Sequence, residues 1–464
     1  MPQNKMGTAP INRLLITMAL PMMISMLVMA LYNIVDSIYV AQLSEDALTA
    51  VSLAFPVQNL MIAIGVGTGV GVNALLSKSL GEKDYTQANR AAINGLFLNL
   101  CSMAGIMLFG FTCVKLFFHS QTDDAVIFAY GVEYLTVCCV FSFGLFVQCM
   151  TEKLLVATGK TVYSMIIQLT GAIINIILDP IMIFGLYGCP ALGVKGAALA
   201  TVIGQTIAGL LGLWLNIALN KEIRLDFRRF RPHGPTIKRI YSVGLPSIIM
   251  QSVGSVMTFC LNRILMSFTP TAVAVFGVYF KLQSFVFMPI FGINNGMVPI
   301  LSFNYGAHKP ERMVQTMKLA VTYALCIMGT GTVVFQLVPE LLLGMFKASP
   351  EMLAIGVPAL RIISTLFPFA AFGIIATSSF QALGKGVWAM LTSLARQLGL
   401  LLPAAFLLSL TGRLELVWLA FPIAEGGSVV LCIIFLRRIW ATIITPLRRS
   451  VATGQPAGIL KDTL

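Results

Sequence analysis

Charge is scarce in this chain. Asp, Glu, Lys and Arg make up only 11% of its 464 residues, against 57% apolar residues. A soluble globular protein carries about 25% charged residues, so that class is excluded, and a mean hydropathy of +0.88 points to an integral membrane protein. A membrane β-barrel would show alternating segments of about ten residues; none is visible. Histidine is nearly absent too. His119, His233 and His308 lie in loops far from any plausible nucleophile, so no catalytic set can be assembled and neither an enzyme nor a cofactor is expected. The nine cysteines have no paired spacing of metal-ligand type and read as small buried hydrophobes. The glycine-rich GVGTGVGVN run lacks the Lys-Ser/Thr ending of a phosphate loop. It lies within an apolar run, where close helix packing explains it better. Without a nucleotide-binding domain, any pumping must be secondary.

Long apolar runs are abundant. About twelve are long enough as helices to cross a roughly 30 Å hydrocarbon core, near 14–41, 47–77, 92–118, 125–150, 161–187, 192–219, 238–268, 271–302, 313–339, 352–381, 386–411 and 415–436. The N-terminal MPQNKMGTAPINR shows no cleavable signal pattern, because the first run is too long and carries an Asp. The net charge of +13 is not spread evenly. With the N-terminus inside, the inner loops and tail hold most of the basic residues, including Arg228 and Arg229 of the linker and Lys461 of the tail. The outer loops hold only Lys115, Lys195, Lys347 and Arg413, beside several acids. That is the positive-inside pattern. It places both termini in the cytoplasm, fits contact with anionic membrane lipids and argues against nucleic acid as a partner.

An internal repeat organises the chain. Leu20-Pro21 recurs as Leu245-Pro246, 225 residues on. At the same offset GTGVGVNALLSKSLGEKD (67–84) lies over GINNGMVPILSFNYGAHK (292–309), and ATGKTVYSM (157–165) over ALGKGVWAM (382–390). Six spans per half make the halves parallel repeats, a plan used by secondary transporters. The basic segment NKEIRLDFRRFRPHGPTIKR (220–239) is the only substantial linker. The expected halves are 1–231 and 232–464.

The most informative stretch is TGAIINIILDPIMIFG (170–185). Its four-residue spacing stacks Asn175 and Asp179 on one helix face. A carboxylate in hydrocarbon costs roughly 3 to 10 kcal/mol on contested scales, so it is expected to face a cavity and to serve a function. The first span offers a companion, Asp36, with Asn33 about one turn earlier. The acids have no repeat partners: Asp36 falls on Leu261, Asn175 on Leu400 and Asp179 on Ala404, or on Leu402 if Pro180 is aligned with Pro403. From the inner ends of their helices they lie roughly 33 and 27 Å along, at 1.5 Å per residue, towards the outer leaflet. Two carboxylates sharing one buried site cannot easily both stay ionised. A proton or a sodium ion on Asp36, Asn175 and Asp179 would relieve the pair. Plain stiffening of the helices by hydrogen bonds is the alternative.

The segments PMMISMLVMALYNIVDSIYVAQL, AVSLAFPVQNLMIAIGVGTGVGVNALLSKSLGEKD, NIILDPIMIFG and LGVKGAALATVIGQ resemble the multidrug and toxic compound extrusion (MATE) family, in its bacterial branch of MepA-like and DinF-like proteins. The resemblance covers essentially the whole chain. It implies an all-α membrane protein with twelve transmembrane helices in two pseudo-symmetric six-helix bundles, V-shaped, in the bacterial plasma membrane. It also implies antiport: cationic amphipathic drugs leave in exchange for H⁺ or Na⁺. The family's ion site maps to Asp36, Asn175, Asp179 and Thr201, and its helix-1 bend to Pro21. The second-bundle ion site of some relatives is not matched, since Gln251 stands where a carboxylate would be.

Other polar residues interrupt apolar runs of the second half, among them Gln251, Arg263, Lys281, Gln283, Arg361, Arg396 and Glu425. With Asn33, the candidates for a substrate cavity are Gln251, Gln283, Glu425 and Arg263; pairing of the charged residues as a gating lock, snorkelling and interhelical hydrogen bonds are the alternative roles. The 24 methionines and 30 phenylalanines suit an adaptable cavity as well as ordinary lipid-facing packing. The basic residues keep open a second function, a flippase for a lipid-linked precursor, and a passive channel is a third. A monomer is expected.

Overall fold

The computed structural model describes residues 4–225, 230–346 and 348–453. Arg228, Arg229, Lys347 and Lys461, which entered the charge reading, lie outside the described residues. Among the described residues the structure is helical throughout and contains no strand. The helices are α1 (Lys5–Thr8), α2 (Ile11–Leu43), α3 (Glu45–Gly81), α4 (Tyr85–Thr112), α5 (Val114–His119), α6 (Ala125–Val140), α7 (Phe143–Ala157), α8 (Thr161–Phe184), α9 (Val194–Leu219) and α10 (Gly234–Met266). They continue as α11 (Pro270–Gly306), α12 (Pro310–Leu337), α13 (Pro339–Gly344), α14 (Pro350–Ser364), α15 (Phe367–Ala382), α16 (Gly386–Leu394), α17 (Leu402–Ser409), α18 (Leu414–Val417), α19 (Ala420–Ile439) and α20 (Thr445–Thr453). A π-helical stretch, Ala395–Leu401, joins α16 to α17, and another, Trp440–Ile444, joins α19 to α20.

Among the described residues ten helical segments are long and apolar enough to cross a membrane, and two bent pairs raise the number to twelve if each pair is one span. The pairs are α6 with α7, bent by 48°, and α14 with α15, bent by 49°. The second break falls just before Phe367-Pro368, and Pro368, lacking an N–H, cannot bond to the carbonyl of Ser364, the last residue of α14. Short polar side chains start several spans. Ser44 accepts from the Ala47 N–H, Asp84 from Gln87 and Ser349 from Met352, which satisfies amide donors that a helix start otherwise leaves orphaned. Gly185, at φ 75°, supplies the left-handed residue that ends α8.

The repeat read from sequence is written into the backbone. α3 and α11 both run 37 residues, and α4 and α12 both run 28, each pair 225 residues apart at both ends. Ser77 Oγ donates to the Ala157 carbonyl at 2.9 Å, and its counterpart Ser302 Oγ to that of Ala382 at 2.8 Å. Lys83 and His308, also counterparts, both adopt the left-handed conformation, at φ 61° and 54°.

The packing forms two compact units. Unit 1 contains the chain up to Met23 and from Ile249 onward; unit 2 is Ile24–Ile248. This differs from an end-to-end division at 231/232, because each unit takes the first part of the other half's leading helix. The cause is close packing at glycines. In unit 1 the start of α2 lies on α11: a Cβ on Gly292 would come within 2.5 Å of Met23 Cα, and one on Gly296 within 2.8 Å of the Ala19 amide nitrogen. In unit 2 the start of α10 lies on α3 in the same way, with a Cβ on Gly71 only 2.2 Å from the Ile240 oxygen. The glycine run thus serves helix approach, as membrane helices commonly use small residues. Pro21 and Pro246 sit two residues before each handover. Lacking an N–H, they leave the carbonyls of Thr17 and Ser242 without the usual helical bond.

Within unit 2 a core around Val40, Ala54, Phe118, Tyr134, Phe146 and Ile183 ties α2, α3, α5, α6, α7 and α8 together. Within unit 1, Leu301, Met313, Phe380, Ala389, Cys432 and Ile439 do the same for α11, α12, α15, α16 and α19.

Candidate functional site

The site lies inside unit 2, where α2, α8 and α9 meet. Asn175 and Asp179 stack one turn apart on α8, as their spacing requires, and both are buried, Asp179 with no exposure at all. Asn175 Nδ2 donates to Asp179 Oδ1 at 3.3 Å and to Thr201 Oγ1 on α9 at 3.2 Å. Thr201 Oγ1 in turn donates to the Ala197 carbonyl at 3.1 Å, so it can only accept from Asn175. The two helices come this close because α9 has a glycine at the crossing. A Cβ on Gly204 would sit 2.8 Å from the Gly171 oxygen and 3.4 Å from Asn175 Cβ. Pro180, directly after Asp179, also leaves the Ile176 carbonyl without its helical donor.

Asp36 enters from α2, half-buried and within electrostatic reach of Asp179. Three buried oxygens here, Asp36 Oδ1, Asn175 Oδ1 and Asp179 Oδ2, have no hydrogen-bond partner. Buried polar atoms are nearly always satisfied, and leaving a buried charge uncompensated is costly. Three unpartnered acceptors on electrostatically interacting residues therefore ask for a donor or a cation. All are hard oxygen atoms, the donor type that suits a proton or an alkali cation better than a soft transition metal.

The four residues expected at an ion site, Asp36, Asn175, Asp179 and Thr201, thus fall in one unit, and three of them in one hydrogen-bonded chain. Sequence reasoning missed their surroundings. Tyr32 interacts electrostatically with both acids, and Tyr134 with Asp36; Gln58 Nε2 donates to the Tyr134 hydroxyl at 3.0 Å. Tyr32 was legible as one turn before Asp36, whereas Gln58 and Tyr134 come from α3 and α6 and no local spacing marks them. A second missed cluster joins α7 to α8: Gln148 Nε2 donates to Glu152 Oε1 at 2.9 Å and to Gln168 Oε1 at 3.3 Å.

The remaining candidates are dispersed. Asn33 is exposed on α2. Pro21 falls in unit 1, as do Gln251, Arg263, Gln283 and Glu425. Gln251 and Arg263 are exposed and Gln283 is half-buried; Arg263 lies over the Phe259 ring at 5.6 Å. Glu425 has no basic residue a turn away in sequence, yet pairs with Arg396 at 3.3 Å.

Repeated sets of membrane-spanning helices, one of them enclosing a carboxylate site with open acceptors, define a multi-pass membrane transporter built on an internal repeat. The particular family follows from comparison. The MatE family model matches residues 21–181 and 246–407, one block in each half of the repeat, and the chain belongs to that family. The multidrug export protein MepA of Staphylococcus haemolyticus is 28% identical over 407 residues, 86% of this chain and 88% of its own. An FAD transporter of Shewanella oneidensis is 25% identical, over 93% of this chain and 96% of its own. A multidrug resistance MATE family transporter of the MOP superfamily, solved in an outward-facing conformation, superposes with a TM-score of 0.90 at 25% identity, covering 97% of this chain and 99% of that one.

Proposed function

We propose that this protein is a secondary multidrug efflux antiporter that expels cationic amphipathic compounds in exchange for H⁺ or Na⁺. The observation that carries the reading is the set of three partnerless buried oxygens on Asp36, Asn175 and Asp179. A coupling ion arriving from outside binds these oxygens, with Asn175 and Thr201 holding the cluster in shape. Its positive charge neutralises the carboxylates and the expelled cation leaves in exchange. An inward membrane potential supplies about 2.3 kcal/mol per charge per 100 mV for a charge moving through it. The proposed setting is the bacterial plasma membrane with both termini cytoplasmic, in line with the distribution of basic loops, and the working unit is a monomer. Pro21, two residues before α2 passes from one packing unit to the other, is the proposed point at which ion binding changes the course of α2. If sodium is the coupling ion, its ligands are Asp36, Asn175 and Asp179.

The competing flippase reading needs free cationic side chains to hold a lipid-linked anion. Of the four side chains that could serve, Arg263, Lys281, Arg361 and Arg396, the last is already paired with Glu425, and the open acid oxygens of unit 2 suit a cation rather than an anion, which favours the antiporter. Efflux of a cationic dye from proteoliposomes, with imposed pH or sodium gradients, tests the choice. Gradient-driven expulsion lost in Asp179→Asn supports the proposal. Dye movement without any ion gradient would point to a passive channel instead.

A further inference from the structure

Unit 1 contains a buried acid that the coupling scheme does not use. Glu425, on α19, is 4% exposed. Its Oε2 lies 3.3 Å from Arg396 Nη1, while Oε1 is buried and has no hydrogen-bond partner. A Cβ on Gly373 would lie 3.3 Å from that free oxygen, so glycine keeps the space beside it clear. Tyr279 and Cys432 interact electrostatically with both Glu425 and Arg396. The Arg396 side chain is 31% exposed, against 6% for that of Glu425, so the guanidinium reaches the acid from a less buried position.

The place of this pair in the repeat gives it meaning. Arg396 is the counterpart of Gly171 at the 225-residue offset, and Glu425 lies one residue before the counterpart of Thr201. The two sites therefore sit on equivalent helix pairs, α8 with α9 in unit 2 and Gly386–Ser409 with α19 in unit 1. In unit 2, Gly171 offers no side chain, and the acid of the same helix, Asp179, lies two turns further on and keeps an open oxygen. In unit 1 the equivalent stretch becomes π-helical at Ala395–Leu401, a distortion common at functional positions. Arg396, which meets the acid, lies in this stretch.

We propose that Arg396 is a tethered cation, filling in unit 1 the role that the exchanged ion takes in unit 2, and that removing its charge turns Glu425 into a second ion site. This rests on the coupling reading above. Arginine stays charged in proteins, so a site closed by a guanidinium cannot load and unload with each cycle. A buried carboxylate stripped of its partner is left uncompensated and must take up a proton or a metal cation. Arg396 would then set the number of ions exchanged per substrate, by holding one of two potential sites permanently filled.

The test uses the full-length protein in proteoliposomes at zero membrane potential, with a fixed coupling-ion gradient and ethidium as the organic cation. With a tenfold ion gradient, one additional ion per exchange multiplies the equilibrium ethidium ratio by about ten. Arg396→Gln should show that increase, whereas Arg396→Lys and the double variant Arg396→Gln/Glu425→Gln should stay at the wild-type ratio. Where the wild-type ratio follows the ion gradient, an unchanged ratio in Arg396→Gln overturns the proposal; Arg396→Met replaces it if the glutamine variant does not fold. Ion-binding titration of the purified proteins is the second arm. Arg396→Gln should bind one proton or sodium ion more than wild type and the double variant should not; equal binding in all three overturns the assignment. Should the wild-type ratio ignore the ion gradient while the extra ion still binds to Arg396→Gln, the coupling reading fails and the tethered cation stands.

Discussion

α8 and its repeat counterpart, Gly386–Ser409, are each 24 residues long and occupy the same place in their halves. α8 is regular and presents Asn175 and Asp179 inward; the counterpart has Leu400 in the place of Asn175 and passes through a π-helical stretch that brings in Arg396. One frame thus handles buried charge in two ways. Among the described residues, unit 2 leaves acceptor oxygens on two acids with no cationic side chain beside them, while unit 1 pairs one oxygen of its acid with Arg396 and leaves the other open. Symmetry in the backbone does not extend to the charge, and that difference points to where an exchanged ion can be held.

The comparison breaks most visibly at Asp179. Asp179→Asn should abolish gradient-driven dye expulsion, removing access to the roughly 2.3 kcal/mol per 100 mV that an exchanged charge makes available, and Asp36→Asn should do the same. Dye flux in proteoliposomes reads both. The shared frame is sharpened by its glycines. Gly71→Ala places a methyl group 2.2 Å from the Ile240 oxygen and should cost about 1–3 kcal/mol as overpacking. Gly296→Ala should lose a similar amount, and both should lower the melting temperature. Gly277→Ala, with no heavy atom within 4 Å of the added Cβ, should stay within about 0.5 kcal/mol of wild type. A smaller effect is expected at Thr201→Val, which removes the acceptor for Asn175 Nδ2. The lost bond is worth about 0.5–1.5 kcal/mol, read as a loss of up to roughly tenfold in coupling-ion affinity. Asn33→Ala, at an exposed position, should change stability by less than about 0.5 kcal/mol.

Much of the frame was legible in sequence because the repeat keeps one register over long stretches. The offset fixed by Pro21 and Pro246 also relates the ends of α3 to those of α11. The glycine run at 67–71 was readable as helix packing, since a glycine run buried among apolar residues has few other uses. Asn175 and Asp179 declared themselves by spacing alone, and Asp36 as the companion acid of the first span. The handover of α2 and α10 between packing units was not legible. It depends on which neighbour each glycine face meets, and one helix's sequence does not say. That charged residues of the second half could pair was readable, but which ones was not: 29 residues separate Arg396 from Glu425, and Arg396 lies in a π-helical stretch that regular periodicity does not foresee. Gln148, Glu152 and Gln168 were readable only as isolated polar residues until α7 and α8 were seen together.

Ion-driven ethidium efflux from proteoliposomes, compared between wild type and Asp179→Asn under imposed pH and sodium gradients, is the most direct test of an exchange site in unit 2. Wild type should move the dye against its gradient under at least one of the two ion gradients, and Asp179→Asn should move it under neither. Full gradient-driven efflux by Asp179→Asn would contradict the account.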